Sequence, residues 1–85
     1  MSRRMTTGEA LDLLETVFEA SPDTIGTGIV EGFVVDMDQG RASDDIASFL
    51  AIRPGDVNPD SIAVYPDHCD ETGQSAVRIV IKTED

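Results

Sequence analysis

The stretch Ser75 to Lys82, SAVRIVIK, constrains the fold of this chain more than any other. Val77, Ile79 and Ile81 alternate with Arg78 and Lys82, the two-residue period of a strand with one apolar and one polar face. Such a strand needs neighbours and a cover for its apolar side. A second strand-like run, SIAVYP (61–66), precedes it across the polar segment DHCDETGQ (67–74), so the two read as a C-terminal hairpin.

The cover comes from two helices. Leu11, Leu14, Val17 and Phe18, with Ala10 and Leu13 beside them, recur at three- and four-residue steps. Thr7 is the expected N-cap, Glu9 sits in the favourable first turn, and Ser21-Pro22 closes the helix. The second helix is expected over Ser43 to Ile52, with Ser43 as cap, Asp44 and Asp45 at the positive end, and Ile46, Phe49 and Leu50 on the apolar side.

TIGTGIVEGFVVDMDQG (24–40) fits two patterns. As a helix, Ile25, Ile29, Val30, Phe33, Val34 and Met37 form a stripe. As a strand, Ile29, Phe33 and Val35 face the core, with Glu31 awkwardly among them. Gly26, Gly28 and Gly32 would each weaken a helix by about 0.8–1 kcal/mol relative to alanine, and the β-branched residues suit a pleated surface. A strand over about 28–37 is the expectation. The sum is a small single α+β domain, in which two helices pack on a short, mostly antiparallel sheet of about three strands ending in a β-hairpin. Its 85 residues allow one small core, expected over 8–85 with 1–7 as a flexible tail.

Charge bounds the function. Seventeen acidic residues, eleven of them aspartate, face five arginines and one lysine, for a net charge of -11. A high-salt cytoplasm, a GC-rich genome, or selection for a surface that resembles a polyanion each produces this pattern, which bears on solubility and partners rather than on fold. No apolar run approaches the roughly eighteen residues of a membrane span, and the opening MSRRMTTGEALDLL, with no uninterrupted apolar stretch, is not expected to act as a secretory signal. The single cysteine cannot close an internal disulfide. A cytoplasmic protein away from membranes is expected, monomeric or a homodimer.

ASDDIASFLAIRPGDV (42–57) has the spacing of the first helix and turn of a DNA-reading helix-turn-helix. Two features break it. Ala51 stands where glycine would relieve a positive φ, and Asn58-Pro59 falls inside the would-be recognition helix, where an interior proline costs about 3 kcal/mol. Asp56 and Asp60 would face phosphates, and Arg41, Arg53, Arg78 and Lys82 are scattered, so direct nucleic-acid binding is not expected.

Two further clusters invite a metal. Asp56, Asn58, Asp60 and Asp67 fall at positions 1, 3, 5 and 12 of a calcium loop, but Ser61 replaces its turn glycine and the last ligand is aspartate. DHCDE (67–71) gathers His68 and Cys69 among three acids, although adjacent side chains cannot all reach one tetrahedral ion. The neighbouring carboxylates are expected to raise the cysteine pKa, against a reactive thiolate. Turn chemistry is the simpler account of both, and no cofactor is expected. GTGIVEG (26–32) lacks the spacing and framework of a dinucleotide loop.

The expected function is non-enzymatic. A small acidic protein binds the basic surface of a partner protein, in its sharpest form as a nucleic-acid-mimicking inhibitor of the kind a virus directs against host defence. Asp36, Asp38, Asp44, Asp45, Asp56 and Asp60 are the expected contacts. The alternative is a degenerate winged helix-turn-helix regulator from a salt-adapted organism, which requires Pro54 to Asp60 to be helical.

Overall fold

In the computed structural model, which describes residues 2–24, 28–52 and 55–84, the hairpin strands β5 (Ile62–His68) and β6 (Ser75–Lys82) are joined by β3 (Ile29–Val35) and the short β2 (Asp23–Thr24). The order is β2-β3-β6-β5, all antiparallel. The α+β class stands, with four strands in the sheet rather than about three. β1 (Ser2–Arg3) and β4 (Asp56–Val57) form a separate parallel pair. The hairpin loop closes with the Gly73 amide donating to the Cys69 carbonyl at 2.6 Å, Gly73 at a φ of 72°.

Two helices cover one face of the sheet. α1 (Thr7–Asp12) runs into a wide π turn, Leu13–Val17, and α2 spans Gln39–Ala51. The cap of α1 is Thr6, one residue before the expected Thr7. The Thr6 hydroxyl accepts from the Glu9 amide at 3.1 Å and the Glu9 carboxylate accepts from the Thr6 amide at 3.1 Å, a reciprocal capping box. The π turn inserts an extra residue into the helical repeat. Leu13, Leu14 and Phe18 stay buried while Val17, expected on the same stripe, is left 37 % exposed. The helix stops at Glu19, whose φ of 53° leaves helical space before Pro22 is reached.

α2 begins earlier than expected. Its N-cap is Asp38, whose carboxylate accepts from the Arg41 amide at 2.7 Å, and not Ser43. Asp44 and Asp45 therefore lie mid-helix, away from the positive end of the dipole. Both residues are acceptable caps; the earlier one lets Ala42 enter the core beside Ile46 and Phe49. Neither helix among the described residues is long and apolar enough to cross a membrane.

β3 is a strand as expected but with the opposite phase. Val30, Gly32 and Val34 face the helices, while Ile29, Glu31, Phe33 and Val35 lie on the outer face. A strand has only two phases, and a one-residue shift exchanges them. This phase removes Glu31 from the core and sets it beside Arg78. The interior is built from Leu13, Leu14, Val30, Val77, Ile79 and Ile81, all at most 1 % exposed, together with Phe18, Ile46 and Phe49.

Residues 2–7 are not the tail expected over 1–7. Ser2 and Arg3 pair with Asp56 and Val57, Met5 is fully buried and bridges Thr83, and the Asn58 amide donates to the Arg3 carbonyl at 2.6 Å. Arg3 clamps this segment down with a bidentate pair to Glu9, at 2.7 and 3.1 Å. The hydrogen bonds from Arg3, then from the Thr6 amide, hold the Glu9 carboxyl at about 2, well below its ordinary value.

Candidate functional site

The helix layer carries the carboxylates. Residues 7–19 contain Glu9, Asp12, Glu15 and Glu19 and no base. Apart from Val17, the apolar positions of this segment are turned toward the core, and Asp12, Glu15 and Glu19 are exposed on the water side. Around α2, Asp36, Asp38 and Asp44 are exposed and Asp45 is half-buried, with Arg41 the one base on that helix. Adjacent helical residues point about 100° apart, so Asp44 and Asp45 present to different sides.

Of the six aspartates expected to meet a partner, Asp36, Asp38, Asp44 and Asp45 thus gather in α2 and the turn before it. Asp60 is exposed on the 3-10 turn Pro59–Ser61. Asp56 is in β4, and its side chain lies outside the described residues, as do Gly26, Arg53 and Pro54. Carboxylates are not confined to this layer: Asp23, Asp70 and Glu71 are exposed on β2 and the hairpin loop.

The outer face of the sheet has a different character. Register places Phe33, Arg78 and Tyr65 in one row across β3, β6 and β5. Phe33, Val35 and Tyr65 are 38 %, 48 % and 53 % exposed. Arg78 pairs with Glu31 on one side and with Asp67 at 3.4 Å on the other, and its guanidinium carbon lies 5.7 Å from the Phe33 ring centre. Glu31, then Asp67, raises the Arg78 pKa. The Asp67 carboxyl is lowered, first by the His68 amide donating at 2.8 Å and then by Arg78. Arg78 and Lys82 against Glu31, Asp67 and Asp23 leave this face near neutrality.

A third feature lay beyond sequence reading. Between α2 and β5 is an apolar groove of about 200 Å³, lined by Ser43, Ile46, Ala47, Leu50, Pro59, Ile62 and Val64. Its walls come from α2 and from the 3-10 turn and strand that follow it, and no helical or strand periodicity within either wall signals that the two meet. β5 is an edge strand, yet its rim is guarded. The Gln39 side-chain amide donates to the Val64 carbonyl at 2.8 Å, and Pro66 has no N–H to offer an added strand.

The metal candidates disperse. Asn58 accepts from the Asp60 amide at 3.0 Å, the chemistry of a turn cap. Asp67 is carried off along β5, about 17 Å beyond the start of that strand at roughly 3.3 Å per residue, and is engaged by Arg78. Among the described side chains, Asn58, Asp60 and Asp67 are not gathered around one point. His68 meets Asp70 at 3.1 Å on the exposed hairpin, and among the described residues no three His, Cys, Asp or Glu side chains are placed to share a metal. For Cys69 the expected direction is reversed. A hydrogen bond with the Thr72 side chain, then the Thr72 and Glu71 backbone, lowers the thiol despite the Glu71 charge that raises it.

The helix required by a winged helix-turn-helix does not follow α2 over the described residues. Gly55 is in a bend at a φ of 82°, Asp56–Val57 is extended, and Pro59–Ser61 is a single 3-10 turn. In comparisons with known proteins, no family model matches the chain, and no curated protein or solved structure is significantly similar to it.

Proposed function

We propose that this is a non-catalytic acidic protein whose helix layer binds a basic surface of a protein partner. The observation that carries the reading is the two-sidedness of the molecule. Carboxylates crowd α1, α2 and the turn before α2, where the described cations are Arg41 on α2 and Arg3 paired with Glu9, while the opposite face is close to neutral. Complementary potentials steer encounter and select the partner. A basic, nucleic-acid-handling protein fits such a surface, and inhibition by occupying its phosphate-binding site is the sharpest form of the proposal.

The test is charge reversal on the partner captured and identified from native cells. Glu15→Lys with Asp44→Lys and Asp45→Lys is expected to weaken binding at least about tenfold and to flatten its salt dependence. Asp70→Lys with Glu71→Lys, at the hairpin loop, is expected to leave it within about twofold. Equal losses from both sets would overturn the assignment to the helix layer.

Adaptation to high salt is a second reading, favoured by acids on nearly every element. It predicts that the fold itself needs salt, whether or not a partner is present.

A further inference from the structure

The groove between α2 and β5 deepens this reading, on which it rests. Its volume of about 200 Å³ is below the roughly 300–1,000 Å³ of small-molecule sites, so it suits one or two side chains of a larger partner. No lining side chain is charged, whereas Asp44 follows the lining residue Ser43 on α2 and Asp60 follows the lining residue Pro59 on the opposite wall. Both carboxylates are exposed.

We infer that this groove receives apolar side chains of a cationic helical segment, whose lysines or arginines pair with Asp44 and Asp60. The two kinds of contact divide the labour. Burying a leucine supplies the tightness and the register, and the exposed carboxylates of Asp44 and Asp60 select a basic flank. Strand addition, the other common way to use a sheet edge next to a helix, is opposed by Gln39 on the Val64 carbonyl and by Pro66. A helix laid along α2 needs no hydrogen bond from β5. Ile46, Ala47 and Leu50 recur on α2 at one-, three- and four-residue steps and offer it a continuous apolar wall.

Three synthetic helical peptides test this by fluorescence anisotropy at low ionic strength. The first is a lysine–alanine helix with leucines at i and i+4, the second has serine in place of leucine, and the third has glutamate in place of lysine. The leucine peptide is expected to bind at least about tenfold more tightly than the serine peptide, and the glutamate peptide not at all. Ala47→Trp, which fills the groove from an exposed helix position, is expected to abolish the advantage of leucine over serine. Circular dichroism confirms that the variant folds, and Ala47→Ser serves as the size-neutral control. Equal binding of the leucine and serine peptides, or an Ala47→Trp protein that still prefers leucine, overturns the groove and leaves the acidic-surface reading standing. Failure of both lysine peptides to outbind the glutamate peptide removes both.

Discussion

Leu14 fills the space that a side chain at Gly32 would occupy. A Cβ built on Gly32 would lie 2.6 Å from Leu14 Cδ2, so the buried glycine of β3 is what lets the π turn settle onto the sheet. Gly32→Ala is expected to destabilise the protein by about 1–3 kcal/mol, the usual penalty of overpacking. Leu14→Ala alone is expected to lose about 2–5 kcal/mol. The double variant is expected to lose less than the sum, because the new methyl enters the vacated space. Urea unfolding of the four proteins measures the coupling, and strict additivity would show that the two sites do not share that space.

The Arg3–Glu9 clamp gives stability a pH dependence of known sign. Glu9 is held at about 2 against its ordinary 4.5. A depressed folded-state pKa contributes stability that is fully present above the unfolded value, here about 4.5, and is lost as pH falls through about 2. Wild type is therefore expected to be more stable than Glu9→Gln at neutral pH, with the difference shrinking below pH 4.5 and gone near pH 2. Thermal unfolding across that range reads it directly, and a difference independent of pH would exclude ionisation of Glu9 as its source.

Thr83 is 2 % exposed, and its hydroxyl oxygen has no hydrogen-bond partner among the described residues. Thr83→Val keeps the shape and removes the unsatisfied group. A gain of about 1 kcal/mol is expected in denaturant unfolding. A loss of that size would mean that the hydroxyl has a partner after all.

With carboxylates on both helices, both hairpin strands' connection and the 3-10 turn, self-repulsion opposes folding at low ionic strength. The melting temperature is expected to rise as sodium chloride is taken from about 0.01 to 1 M, where the screening length falls from about 30 to 3 Å. A flat or falling curve would speak against adaptation to salt.

How far the sequence could be read follows the range of the forces involved. The alternation of Val77, Ile79 and Ile81 is local, as are the helical stripe from Ala10 to Phe18 and the polar hairpin loop, and each was legible. The phase of β3 was not. Glu31 was the one local sign that the odd-numbered face is the outer one, against the apolar Ile29, Phe33 and Val35 beside it, and the Arg78 that pairs with it there is forty-seven residues away. The N-terminal segment is held by equally distant contacts, since Met5 bridges Thr83 near the far end of the chain. At the candidate site the acidic residues of α2 were visible as a run, although their position along the helix depended on choosing Asp38 over Ser43 as cap. The groove had no sequence signal at all.

The most direct test of where this protein binds is amide chemical-shift mapping during titration of the isotope-labelled protein with the lysine–alanine–leucine peptide. Shifts are expected along Thr7–Asp12, Gln39–Ala51 and the groove-facing part of β5, with the Phe33–Arg78–Tyr65 row unmoved. Shifts centred on that row, or none at a peptide excess that saturates a cationic site, would contradict binding through the helix layer.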